Sequence, residues 1–136
     1  MDERRDDAPA ASGDVRLEVA LEFLNARAEH DYDRAVALFD EDGVWHSPVD
    51  GPRRGRRAIR DALVAAERDT DRFGSRVDRI AVKRDRVVAV IVNRGRREGR
   101  ELDSHQALRF GFRGDRITEV EITVDDPDAV ERFWAD

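Results

Sequence analysis

Histidine is the side chain best suited to moving a proton near neutral pH, and this chain has three: His30, His46 and His105. His46 sits beside Trp45 in the short run Val44 to Ser47, where it can serve as general acid or base. Neighbouring side chains on a strand point to opposite faces, so a Ser47–His46 nucleophile pair has poor geometry. Asp103 and His105 share a strand face, and the carboxylate can orient the imidazole and raise its basicity. Leu102, Leu108, Phe110 and Phe112 occupy the opposite face from Asp103, His105 and Arg109. If the apolar face is the inner one, the pair looks outward, unless a bulge near Gln106 reverses the register.

Other candidates are weighed the same way. Glu119 and Glu121 share one face of a strand, and paired carboxylates can split their pKa values, but they lie opposite Val120, Ile122 and Val124. Arg53, Arg54, Arg56, Arg57 and Arg60 gather at the start of a helix, where positive charge opposes the dipole. Either an anion site or a solvated surface explains them, and the surface is the simpler reading. Trp45, Phe110, Val120 and Ile122 are candidates for a pocket wall or for plain core. Tyr32 and Gln106 are candidates for orienting a ligand by hydrogen bonds. No metal is expected, because the histidines lack ligand-like spacing and cysteine is absent. Nor is there a glycine-rich phosphate loop of recognised form.

These residues must be held by elements that the periodicity indicates. Val15, Leu17, Leu21, Leu24 and Ala28 recur at helical spacing, which predicts a first helix from about Val15 to Glu29. Asp31 can cap a second helix carrying Ala35, Val36, Leu38 and Phe39, ended by a turn at Asp42-Gly43. A short strand Val44 to Ser47 follows, stopped by Pro48, and then a loop at Asp50-Gly51-Pro52. Gly55 precedes a third helix with Ile59, Leu63 and Ala66 on one face. After Gly74 the pattern becomes strand-like: Arg76 to Lys83, Val87 to Val92 (apolar on both faces, hence central), Leu102 to Arg113, and Arg116 to Val124. Gly95 and Gly99 suggest a loose hairpin and Gly114-Asp115 a tight one. Asp126-Pro127 can open a last helical turn. Helices first and an antiparallel meander afterwards is an α+β arrangement.

The chain has 136 residues, enough for one domain, expected at 14–136 behind a disordered tail at 1–13. Net charge is −6 with both signs interleaved, which argues against nucleic acid as a partner. No apolar stretch reaches membrane-spanning length. The absence of cysteine fits a reducing, cytoplasmic setting.

Three stretches carry a resemblance to a known family. They are Leu38-Phe39-Asp40-Glu41-Asp42-Gly43-Val44-Trp45-His46-Ser47-Pro48 closed by Gly55-Arg56-Arg57-Ala58-Ile59, then Gly99-Arg100-Glu101-Leu102-Asp103 leading into Leu108-Arg109-Phe110, and Arg113-Gly114-Asp115-Arg116-Ile117-Thr118-Glu119-Val120 followed by Asp126 and Phe133-Trp134. Their order resembles the SnoaL-like branch of the nuclear transport factor 2-like superfamily, which includes polyketide cyclases and ketosteroid isomerase. The resemblance implies a cone-shaped, curved antiparallel sheet packed on N-terminal helices, with an apolar pocket between them. It also implies cofactor-independent acid/base chemistry of the isomerase, cyclase, dehydratase or epoxide hydrolase type on an apolar, polyketide- or terpenoid-like molecule, and frequent homodimers. A non-catalytic ligand-binding or dimerisation module is the alternative. Under the resemblance His46 carries the proton, the His105–Asp103 pair is second choice, and Phe23 joins the pocket wall. The isomerase set itself is missing. Ser47 stands where the base precedes the proline, Phe23 near the tyrosine donor and Leu108 near the second acidic donor. The strand-end aspartate of polyketide cyclases corresponds to Asp125 or Asp126, and Glu121 replaces the tryptophan that often precedes it.

Overall fold

The computed structural model describes residues 13–47, 51–68, 72–84 and 86–134. The expected tail lies almost wholly outside these residues, as do the strand stop at Pro48 and the loop residue Asp50. Among the described residues, four helices and six strands follow in the order α1 (Gly13–Ala28), α2 (Tyr32–Val36), β1 (Phe39–Ser47), β2 (Gly51–Arg54), α3 (Arg56–Arg68), β3 (Arg72–Lys83), β4 (Arg86–Arg97), β5 (Arg100–Arg113), β6 (Arg116–Val124) and α4 (Pro127–Trp134). This is the α+β arrangement expected.

The end of α1 is built without glycine. His30 takes the left-handed backbone at φ 61°. Its N–H reaches Arg27 O at 3.0 Å while the Asp31 N–H reaches Ala26 O at 2.8 Å, the paired bonds of a Schellman ending. Asp31 then caps α2 by accepting from the Arg34 N–H at 3.3 Å. Arg34 also binds Glu29 and Glu22 at 2.8 Å, which ties α2 to α1. Those hydrogen bonds to Glu29 and Glu22 raise the Arg34 pKa above its ordinary value.

The sheet runs β2-β1-β6-β5-β4-β3 and is not closed. It is mixed rather than wholly antiparallel, because β1 joins β6 in parallel. Three boundaries differ from expectation. α2 ends at Val36 and β1 already begins at Phe39. Phe39 keeps helical spacing from Ala35 and Val36, so periodicity alone reads it into the helix. Gly51 and Pro52, expected as loop, open edge strand β2, with Pro52 opposite His46. An edge strand tolerates proline because one side needs no donor. The β4–β5 hairpin is tight rather than loose. Arg97 pairs Arg100, and the two linking residues, Glu98 and Gly99, both have positive φ, as a mirror-image two-residue turn requires. Gly95 lies inside the ladder opposite Leu102. β4 is an interior strand between β3 and β5, as its apolar run implies.

The helices cover one face of the sheet. Phe23 on α1 is the hub of the core. Its ring lies 5.6 Å from Phe39, 5.7 Å from Trp45 and 5.9 Å from Phe110. Val87, Ala89, Ile91, Leu108, Ile117, Val120, Ile59 and Leu63 belong to the same cluster. Separately, α4 seats Val130 and Phe133 on Leu102 and Val124. Asp126 caps α4 through the Ala129 N–H at 3.0 Å. The guanidinium groups of Arg97 and Arg100 donate to the carbonyls of Phe133 and Arg132 at 3.3 and 2.8 Å, where the helix dipole favours cations.

Candidate functional site

Strand alternation decides which candidates reach the helix-covered face. On β1, Trp45 is 4 % exposed and packs on Phe23, so His46 turns to the outer face. There its Nε2 lies 3.4 Å from Glu119 Oε2. On β5 the buried residues are Leu102, Ser104, Gln106, Leu108 and Phe110, with β4 pairing in unbroken register past Gln106. No bulge turns the strand over there, and Asp103 and His105 point outward. They do not pair. Asp103 faces Arg94 at 3.6 Å. His105 has a different carboxylate partner, its Nδ1 lying 3.7 Å from Asp125 Oδ2 at the end of β6. Asp125 also accepts from the His105 N–H at 3.2 Å and, more loosely, from Ser104 Oγ at 3.4 Å. Glu121 on the outer face lies between Arg109 at 3.5 Å and Arg86 at 3.8 Å.

The expected wall residues divide in two. Phe23, Trp45, Phe110 and Val120 are closed into the core. Tyr32 and Ile122 are half-buried beside it, and Gln106 is buried on the helix-covered face. The arginine run is spread over different tasks. Arg56 donates from Nε and Nη2 to the Phe39 carbonyl at 2.9 and 2.7 Å, and Arg60 pairs Asp33.

A further residue, Arg27, joins this group although none of the motifs points to it. Its guanidinium lies over the Trp45 ring, 5.5 Å from the centroid, and its Nη1 is shut off from solvent. Burial disfavours the charge and pushes the pKa down to about 10, against a smaller upward effect from Tyr32. That value leaves Arg27 a cation at neutral pH. Position explains the placement. Arg27 follows Phe23 by one helical turn, on the stripe that also carries Ala20 and Leu24. A charged residue on that stripe is the signal that could have marked it.

Beside Arg27 lies a recess of about 20 Å³, lined by Arg27, His30, Tyr32, Leu63, Gly74 and Ser75 among others. That is room for a single oxygen-sized group. The Tyr32 hydroxyl and His30 Nδ1 are 3.0 Å apart at its rim. Ser75 Oγ donates to Asn93 Oδ1 at 2.5 Å. A cation and two hydroxyls thus meet at a recess also lined by Leu63 and Ala66, an arrangement that can hold and orient a small polar group.

Residues 20–120 match the model of the SnoaL-like domain. No curated protein matches the chain by sequence. Among solved structures, Bal32a from a soil-derived mobile gene cassette is 25 % identical, with 90 % of this chain and 98 % of that one covered and a TM-score of 0.86. A nuclear transport factor 2-like protein from Burkholderia xenovorans is 19 % identical, covering 93 % and 100 %, TM-score 0.77. TerC, co-crystallised with polyporic acid, is 16 % identical, covering 88 % and 97 %, TM-score 0.77. The fold is therefore nuclear transport factor 2-like.

Proposed function

The chain belongs to the SnoaL-like family, and from that premise we propose that it binds a small organic acid at the recess beside Arg27, Arg27 being the partner of the acid oxygen. The observation that carries this reading is the Arg27 guanidinium over Trp45 beside a recess of one-oxygen size. A cation removed from water gains more from an opposite charge than a solvated one does, because the surrounding dielectric is low. TerC, of the same fold, was co-crystallised with polyporic acid, which supports a small organic molecule as the ligand.

Calorimetric titration of the full chain with 2-naphthoate and with its neutral alcohol, 2-naphthylmethanol, tests the reading. Wild type binds the acid at least tenfold more tightly, and Arg27→Met removes that preference. Equal affinity for acid and alcohol in wild type, or an unchanged preference in the variant, contradicts it.

A finer reading makes the protein a cofactor-independent acid/base enzyme of the isomerase, cyclase, dehydratase or epoxide hydrolase type, on a polyketide- or terpenoid-like substrate. The observation that favours it is the His105–Asp125 pair. The carboxylate stands 3.7 Å from Nδ1, where it can orient the imidazole, and the Ser104 hydroxyl reaches the same carboxylate. Turnover of a substrate lost in both His105→Ala and Asp125→Asn supports this reading, and turnover kept in both contradicts it.

A further inference from the structure

A helix that ends in the left-handed backbone commonly does so on glycine or asparagine, because a β-carbon is strained there. α1 ends instead on His30, at φ 61°. Arg84 and Glu98 share that backbone without being glycine, but they stand in the β3–β4 and β4–β5 hairpin turns and do not line the recess beside Arg27. His30 does line it, together with Tyr32. One residue separates the two, Asp31, the cap of α2, so the turn that closes α1 also sets Tyr32 against His30. The His30 Nδ1 and the Tyr32 hydroxyl stand 3.0 Å apart, with the rings edge to face and their centroids 6.1 Å apart. A strained backbone kept at the rim of a cavity points to a use for its side chain.

Resting on the Arg27 reading, we infer that His30 is a positioning residue for the bound acid oxygen and acts through Tyr32. The imidazole Nδ1–H donates to the phenol oxygen, and the phenol O–H donates to the oxygen that Arg27 holds. The neutral Nδ1–H tautomer and the imidazolium both carry that proton, so the chain of donors operates on either side of the histidine pKa. A phenol that accepts one hydrogen bond donates the next more strongly, because bonds in a chain polarise one another. The recess has room for one oxygen-sized group, and the guanidinium and the phenol beside it both donate. The group it suits is therefore an oxygen whose lone pairs meet two donors, as a carboxylate, enolate or phenolate offers.

The test combines calorimetric titration with 2-naphthoate and thermal melts, both on the full chain. His30→Gly relieves the left-handed backbone while loosening the unfolded chain, so Tm stays or rises. 2-Naphthoate affinity falls at least threefold in His30→Gly and at least threefold in Tyr32→Phe. Because His30 acts through Tyr32, the double variant binds within twofold of Tyr32→Phe alone. Unchanged affinity in His30→Gly, or losses that multiply in the double variant, overturns the donor chain while Arg27-dependent binding persists. A fall of Tm in His30→Gly also overturns it, since the imidazole is then serving the fold. Absence of 2-naphthoate binding, or binding indifferent to Arg27→Met, overturns the Arg27 reading and the donor chain with it.

Discussion

At the scale of single residues, alternation outweighs residue type. His46 and Trp45 are neighbours, and burial of the indole on Phe23 is what sends the imidazole to the outer face. A fully buried aromatic is worth several kcal/mol and a half-exposed ion pair about 0–1 kcal/mol, so Trp45 decides the facing of this strand. His46→Ala is therefore expected to leave 2-naphthoate affinity within twofold, measured by calorimetry. Arg27 has the opposite character. Its lowered pKa means that the folded state holds that proton less firmly than the unfolded chain. The buried charge thus opposes folding below pH 10, and the penalty is relieved as pH rises above about 10 toward the ordinary arginine value. Arg27→Met should keep or raise Tm in a thermal melt, since an apolar side chain of similar volume often replaces a buried charge without loss, while removing acid binding. A drop of Tm beyond about 5 °C, roughly 1 kcal/mol in a chain of this size, would instead assign Arg27 a structural task. The same cation fixes the pH dependence. 2-Naphthoate affinity should be flat from pH 6 to 8.5, whereas a histidine partner would lose affinity as pH rises through about 6.5.

At the scale of elements, much was legible and the losses have physical causes. α1, α3 and strands β3 to β6 follow from periodicity, because α1, α3, β4, β5 and β6 each bury one face and β3 leans Val77 and Ile80 on the core. β2 carries Pro52 and two arginines and buries no continuous face, so no pattern announces it; pairing with β1 alone makes it a strand. Phe39 fits a helical stripe, yet the chain has already turned into β1, where a register shift separates Phe39 from Val44. Gly43 belongs to that irregular stretch. A Cβ there would come within 2.7 Å of Phe39 Cδ2 and 3.1 Å of the Asp40 carbonyl. Gly43→Ala should cost about 1–3 kcal/mol, read as a loss of Tm. The α4 helix touches the rest through Leu102, Val124 and two arginine–carbonyl bonds, with Asp126 as its cap. Loss of that cap in Asp126→Ala should cost about 1 kcal/mol. Hydrogen exchange should quicken in α4 while β4 and β5 stay protected; equal quickening throughout would show that α4 is no separate unit. The candidate site was half legible. Tyr32 and Gln106 were marked by their capacity to orient a ligand through hydrogen bonds. Arg27 was hidden because arginine is abundant here, and Asn93 because it sits at the end of the run Val87 to Val92. Period-2 spacing gives the two faces of β1 and β5 but not which one the helices cover.

At the scale of the whole molecule, an open six-stranded sheet with helices on one face leaves two surfaces with different chemistry. The helix-covered side is apolar with a few buried polar groups. The outer side carries charge pairs, His46–Glu119, Arg109–Glu121 and Arg94–Asp103 among them, each worth little singly. No helix among the described residues is long and apolar enough to cross a membrane. Fold membership leaves function open, since this architecture serves many chemistries, so the ligand must be argued from Arg27 and Tyr32. Soaking 2-naphthoate into crystals of the chain and solving the complex tests the Arg27 assignment. The expected result is a carboxylate oxygen within hydrogen-bond distance of the Arg27 guanidinium. A carboxylate bound instead on the outer face, with Arg27 untouched, would contradict it.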